Sequence, residues 1–478
     1  MNQMASKVKI IILLILLGLN LPVSIYSQET WSLEKCINYA FEHNIKIKQQ
    51  ILNTEYNSNV LQQSKVELYP NLNANASYGS SFGRALDQTT YQFTQNQAVQ
   101  SVNMNLSSSV TLFSGFQKLN TVKQNEFNLQ ASLKDLDKLK NDISLNIAAA
   151  YLQILFSTEL VEIARSQVEI TKQQVDRTGI LFNAGSLPRG NLLEIQSQQA
   201  SEELQVVNYE NQLMLSILNL SQILDLETAE NFHIEVPQLS EVQEAELLYG
   251  VDSVYTFAVE SLPQIKSAEY RKESALKGLE IAQGSRIPRL GLSANYGTGY
   301  SDARQQVTGT RLDTVAIGST PLGVIVSNVY PSPVYGNYPM SDQFRDNVST
   351  SLFLNLSIPI FANYQIRNGI RNSKINVENY ALELENSKNG LYKEIQQAYA
   401  DAIAALNKYK ASQKALVAIE ESFKYTQEKY NVGLVSTVDY NVAKNQVTKT
   451  KSDLLQSKYD YIFKTNILNF YRGEPIKL

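Results

Sequence analysis

YPNLNANASYG (Tyr69–Gly79) returns 218 residues later as IPRLGLSANYG (Ile287–Gly297). In the first stretch Leu72, Ala74, Ala76 and Tyr78 alternate with Asn73, Asn75 and Ser77. In the second, Leu290, Leu292, Ala294 and Tyr296 alternate with Gly291, Ser293 and Asn295. A period of two reads as a β-strand with one apolar face and one uncharged polar face. Two more segments share the pattern. Val102, Met104, Leu106, Val110 and Leu112 lead one, and Val348, Leu352, Leu354, Leu356, Ile358 and Ile360 lead the other. Strands of roughly 10 residues with this alternation match those that cross an outer membrane, lipid on one side and water on the other.

Four such strands do not close a barrel, since about eight is the practical minimum. An open edge in lipid leaves unpaired backbone groups at several kcal/mol each. Other copies of the chain are therefore expected to complete the barrel. Two copies make eight strands and three make twelve, and the strands alone do not choose between them.

The repeat extends beyond the strands. Glu42, Ile47 and Lys48 recur as Glu260, Ile265 and Lys266 at offset 218. Phe113, Tyr151 and Gly185 recur as Phe361, Tyr399 and Gly433 at offset 248. The change of 30 places a longer loop in the second copy, within 301–346. A period this long is no solenoid repeat and reads as two tandem copies of one unit. The first, 28–225, is expected to hold a helix, strands at 70–80 and 101–113, a long helix at 117–182, a tip turn and a return helix at 191–224. Residues 226–252 link it to the second, 253–478. That copy is expected to hold a helix, strands at 288–300 and 347–361, a long helix at 366–430, a tip turn and a return helix at 439–470. Loops 84–99 and 301–346 are expected to face the exterior.

No glycine or proline occurs between Gly115 and Gly179. A helix over that span is about 95 Å long at ~1.5 Å per residue. It carries a heptad of Ile147, Ile154, Val161, Val168, Val175 and Phe182, with Ala150, Ser157, Ala164, Thr171 and Thr178 three places on. The second copy matches it with Ile395, Ala402, Tyr409, Leu416, Phe423 and Tyr430. This is coiled-coil packing. Ile163 and Ile170 widen the stripe, so each helix needs neighbours on two sides. The fold class expected is an α+β membrane protein: very long coiled-coil helices plus four transmembrane strands per chain.

Composition narrows the function. The 478 residues carry 42 Lys+Arg against 46 Asp+Glu, a formal charge of −4, which offers no basic stripe for nucleic acid. One cysteine, Cys36, and two histidines, His43 and His233, speak against a disulfide framework and a zinc site. Neither a Ser/His/Asp arrangement nor a paired-carboxylate site stands out, so no enzyme, cofactor or metal is expected. Lys7 and Lys9 ahead of an apolar run from Ile10 to Leu19 read as a signal peptide over 1–27. Its loss takes the charge from −4 to −6, because both lysines go with it. No later stretch reaches 18 consecutive apolar residues, so no transmembrane helix is expected.

WSLEKCINYAFEHN (Trp31–Asn44), the strand openings at Pro70 and Pro288, the pairs Ala150-Tyr151 and Ala398-Tyr399, and the turns FNAG and YNVG (Phe182–Gly185 and Tyr430–Gly433) resemble the TolC-like outer-membrane efflux protein family. The order and spacing of these motifs carry the resemblance across nearly the whole chain. It implies a homotrimer in the outer membrane of a Gram-negative bacterium, with a 12-stranded β-barrel continued by a 12-helix periplasmic tunnel. It also implies a passive exit duct working with a periplasmic adaptor (membrane fusion) protein and an inner-membrane pump. The same duct could serve type I protein secretion, and a coiled-coil surface scaffold is the other class left open.

The resemblance also implies roles at the tips. Gly185, Ser186, Leu187, Gly433, Leu434 and Val435 would lie in the turns that bind the adaptor. Asp439, Glu194 and Asn191 would lie at the periplasmic gate. Asp439 aligns internally with Asn191, and Glu194 with Val442, which departs from a doubled acidic ring. Capping is the competing reading: Asn191 and Glu194 have capping-box spacing, and Asp439 stands where it could cap its own helix. Ile147, Ile154, Val161, Val168, Ile395, Leu416 and Phe423 are the expected packing residues of the coiled coils.

Overall fold

A computed structural model describes residues 30–84, 93, 97–228, 232–237, 250–474 and 476. The signal peptide expected over 1–27, most of loop 84–99 and much of 226–252 lie outside the described residues. The first repeat runs β1 (Thr30–Trp31), α1 (Leu33–His43), α2 (Ile45–Val66), β2 (Asn71–Gly83), β3 (Gln97–Phe113), α3 (Gln117–Asn183) and α4 (Arg189–Ile223). After β4 (His233–Ile234), the second runs α5 (Val251–Ser261), α6 (Pro263–Gly284), β5 (Arg289–Ser301), β6 (Gln305–Ser319), β7 (Ile325–Asn337), α7 (Met340–Asp346), β8 (Ser349–Ser357), α8 (Gln365–Asn431) and α9 (Thr437–Tyr471). Bounds of α1, α2 and β2 return in α5, α6 and β5 at offset 218, and those of α3 and α4 return in α8 and α9 at offset 248.

Local chemistry explains the joints. Ser32 caps α1 by accepting from Lys35 N at 3.2 Å. Asn44 ends α1 and starts α2, its Oδ1 accepting from Lys46 N at 3.0 Å. The second repeat makes the same break with Leu262 and Pro263, since proline suits a first helical position, where no N–H is needed. Each strand-to-helix joint turns on two left-handed residues, Gly115 and Phe116 in one repeat and Asn363 and Tyr364 in the other.

The chain divides into two compact units, and each draws on both repeats: Met1–Thr54, Ser132–Ser267 and Glu385–Leu478 in one, Glu55–Ala131 and Ala268–Leu384 in the other. The sequence repeats are therefore not the compact bodies.

The second unit holds an antiparallel sheet in the order β2-β3-β5-β8. Asn73, Ser107, Asn295 and Ser351 form one row across its polar face, and Leu72, Ser108, Ala294 and Leu352 one row across the other. A bulge between Thr111 and Phe113 brings Phe113 opposite Leu290, onto the apolar side. β8 is shorter than the strand expected at 347–361. Pro359 lacks the N–H that a ladder requires. At the other end Gln343 of α7 replaces strand pairing, its Oε1 accepting from Ser301 N at 3.0 Å and its Nε2 donating to Ser301 O at 2.9 Å. The segment 301–346, expected as a loop, is instead mostly ordered into the β6–β7 hairpin and α7.

The first unit is helical. Its core gathers Leu33, Cys36 and Ala40 of α1, Ile147, Tyr151, Ile154 and Leu155 of α3, Leu220 of α4 and Tyr459 of α9. Tyr151 Oη lies 2.6 Å from Glu235 O and 3.1 Å from Trp31 O, fastening α3 to the β1–β4 pair. Burial pushes the Cys36 thiol up to about 12, so it is unreactive packing at neutral pH. One stretch of α3 is long and apolar enough for a membrane span by composition, and 61% of it is buried within the chain. Its apolarity belongs to this core.

Candidate functional site

The candidate site is the pair of helical tips and the polar contacts behind them, all within the helical unit. α3 ends in a Schellman turn: Ser186 N donates to Leu181 O at 2.9 Å and Gly185 N to Phe182 O at 2.9 Å. α8 ends identically, with Leu434 N to Lys429 O at 2.9 Å and Gly433 N to Tyr430 O at 3.0 Å. The C′ residue must be left-handed, and Gly185 and Gly433 have φ of 76° and 78°. Ser186 and Leu434 project from the turns as exposed residues, while Leu187 and Val435 are half-buried.

The return helices begin differently. Ser436 caps α9: its Oγ accepts from Asp439 N at 3.1 Å and donates to Asp439 Oδ2 at 2.8 Å. Asp439 is thus the exposed third residue of α9, with its carboxylate held by the Ser436 hydroxyl at the positive end of the helix. α4 begins at Arg189 behind Pro188, which supplies no side-chain cap. The capping box expected from Asn191 and Glu194 is therefore not the one formed. Pro188 pre-sets the extended entry, so the helix starts two residues earlier and Asn191 already lies inside its first turn. Asn191 and Glu194 sit half-buried on α4, whereas Asp439 stands on α9.

Behind the tips, α3 lies between α4 and α9. Its heptad explains why: Ile147, Ile154, Val161, Ala150, Ser157, Ala164, Thr171 and Thr178 are all buried. Small residues let both neighbours come close. Val168 is half-buried; in α8, Ile395 is buried while Leu416 and Phe423 are half-buried.

Sequence reading missed the ion pair on this seam. Lys444 Nζ of α9 lies 3.5 Å from Glu202 Oε1 of α4, with side chains only 4% and 9% exposed. Thr171 of α3 stands between them, donating to Glu202 and accepting from Lys444. Glu202 also accepts from Gln198 at 2.8 Å and Gln167 at 3.3 Å. Burial lowers the pKa of Lys444, and the Glu202 carboxylate opposes that shift. A signal did exist. Ile195, Glu202, Tyr209 and Ser216 are spaced by seven, as are Thr437 and Lys444, so both charges occupy seam positions.

Closer to the tips, the Tyr440 ring stacks on Tyr430 at 4.5 Å and its hydroxyl accepts from Gln174. Arg177 donates to Asn431 Oδ1 at 3.0 Å, linking the end of α3 to the end of α8. This arrangement holds helices in register and offers no nucleophile–base pair. Among the described residues, no group of His, Cys, Asp and Glu could hold a metal ion.

Known proteins share this architecture. The crystal structure of CusC superposes with a TM-score of 0.74 at 16% identity, covering 95% of this chain and 96% of that one. VceC from Vibrio cholerae, an outer membrane protein, superposes with a TM-score of 0.73 at 14% identity, covering 93% and 97%. Outer membrane protein TolC of Escherichia coli (strain K12) is 20% identical over 378 residues, 77% of this chain and 68% of its own length. The family model described as outer membrane efflux protein matches residues 36–225 and 254–473, one match to each repeat. With most of both repeats matched, the chain is a TolC-like member of the outer membrane efflux protein family.

Proposed function

We propose that three copies of the chain form the outer-membrane exit duct of a tripartite efflux system. The observation that carries this is the sheet. Among the described residues, β2 and β8 are open edges of a four-stranded sheet, one face apolar and the other Asn/Ser/Thr-lined. Lipid tolerates no open edge, so the edges must meet those of other copies. An even strand count keeps the alternation antiparallel all the way round a ring of copies. Three copies give twelve strands, with long helices continuing as a periplasmic tunnel. The duct is passive. A pump in the inner membrane and a periplasmic adaptor deliver the cargo, and the adaptor seats on the turns at Gly185–Leu187 and Gly433–Val435. Asp439, with Glu194 and Asn191 on the neighbouring helix type, forms the constriction there. Native mass measurement in detergent and conductance in planar bilayers test the reading. A particle of three copies that conducts ions is expected; a stable monomer or dimer that conducts would sink it.

A further inference from the structure

We infer that the seam joining the two repeats inside one chain is the template for the seam joining one copy to the next, with Ser351 opposite the neighbouring copy's Ser81. The inference rests on the ring of copies proposed above and specifies its register. Pairing within each repeat supports it. Asn71↔Ser109 through Gly79↔Ser101 in β2–β3 return as Arg289↔Ser357 through Gly297↔Ser349 in β5–β8, at offsets 218 and 248. β2 is thus the counterpart of β5, and β8 of β3. Inside the chain β3 pairs with β5. The two free edges are therefore the same two surfaces that already meet once.

Transferring that register yields definite partners. Asn103↔Gly299 becomes Ser351 opposite Ser81, Asn105↔Gly297 becomes Phe353 opposite Gly79, and Met104↔Thr298 becomes Leu352 opposite Ser80. Leu106↔Tyr296 likewise becomes Leu354 opposite Tyr78. Both faces stay sorted across the seam, whereas a slip of one residue would turn Leu352 and Leu354 to the water side.

Phe353 then finds a place. It is the one large apolar side chain on the polar face of β8, and it is 52% exposed. Opposite it, Gly79 is open: an added Cβ there would meet only Ser101 Oγ, at 3.7 Å. A ring laid over a glycine backbone shields it from water. Inside the chain Asn105 does this for Gly297. Exposure agrees, because β5 is half-buried along most of its length while β2 is exposed throughout.

The copy is not perfect below the strands. Gly115 and Gly284 touch inside the chain so closely that a Cβ on Gly115 would stand 2.6 Å from Gly284 O. Their counterparts are Asn363 and Val66, whose side chains hold the seam between copies wider there.

Paired cysteines in the full-length protein test the register. Adjacent strand pairs alternate between close and wide geometry, so both Ser81→Cys with Ser351→Cys and Ser80→Cys with Leu352→Cys are made. Ser77→Cys with Ser351→Cys, shifted by about 13 Å along the strand, is the comparison. Buried Cys36 stays in place. Under catalysed oxidation, covalent dimers and trimers are expected from at least one in-register pair and none from the shifted pair or any single variant. Bands from the shifted pair alone overturn the register and leave the ring standing. So does the failure of every pair in a particle that native mass counts as three copies. A particle that weighs as one copy, with no bands, removes the ring and the seam together.

Discussion

α3 and α8 have the same length and the same place in their repeats, yet within the helical unit α3 packs between two return helices while α8 leaves more of its surface exposed. α3 is flanked by α4 through Arg165–Glu210 and Ser157–Ser216, and by α9 through Tyr459–Glu159 and Thr448–Gln167. α8 meets α9 through Lys464–Asp401, Lys451–Glu420 and the stacked Tyr409–Tyr461 rings. Its Val417 and Tyr425 stay exposed. The same fold, repeated, gives unlike environments because the neighbours differ. The return helices carry that difference furthest. Lys444 of α9 is buried against α3, while its counterpart Gln196 of α4 is exposed.

Removing one charge of the buried pair should break the comparison most strongly. Lys444→Met leaves Glu202 buried and unpaired, and should destabilise the helical unit by about 3–5 kcal/mol. The double variant Lys444→Met, Glu202→Leu should recover most of that loss or exceed wild type. Gln196→Ala, at the matching exposed position, should stay within about 0.5 kcal/mol. Denaturation followed by helical circular dichroism reads all three. Equal effects at 196 and 444 would mean the repeats are equivalent after all.

The caps come next. Ser436→Ala removes a side-chain cap and should cost about 1 kcal/mol locally, whereas Pro188→Ala removes none and should cost less. Hydrogen exchange at the first turns of α9 and α4 measures the difference; matched protection losses would contradict it.

Asp439 tests whether the capping carboxylate also meets the passing ions. In the ring of copies proposed above, like charges repeated around one axis would attract cations and repel anions. Asp439→Asn makes the second tip resemble the first, where Asn191 stands. It should shift the reversal potential in asymmetric salt toward zero and relieve block by multivalent cations, with trimer assembly intact. Unchanged reversal potential and block would leave Asp439 as a cap alone.

The smallest effect is on pH dependence. Burial lowers the pKa of Lys444 below the ordinary 10.5. Between those two values the unfolded chain holds the proton that the native state has released, so stability rises with pH across that window and is flat beneath it. The difference between the wild-type and Lys444→Met stability curves should show this rise as pH approaches 10.5. A flat difference would mean that Glu202 offsets the burial completely.

The strands were legible because alternation is a local property: Leu72 and Asn73 report opposite faces wherever the strand lies. Long helices were legible from an uninterrupted run and a heptad, and Gly185 and Gly433 from the left-handed turn that each had to make. The segment 301–346 was not. Gly309 and Gly318 in β6 and Pro331 and Pro333 in β7 read as loop although the two strands pair locally, and Gln343, 42 residues from the Ser301 it caps, bears no mark of that role in sequence. Asn191 and Glu194 have capping-box spacing, yet α4 starts ahead of them at Arg189, because Pro188 sets the extended entry.

Sequence alone determined the duplication, the four amphipathic strands, the two-tip design and, through motif order, the family. Tertiary structure decided which copy of each repeated position is buried, that the compact units cut across the repeats, and that Lys444 and Glu202 meet through Thr171. The physical reason is that periodicity says which way a side chain points along its own element. Burial and pairing depend on what else occupies that direction, and in a duplicated chain identical positions face different neighbours.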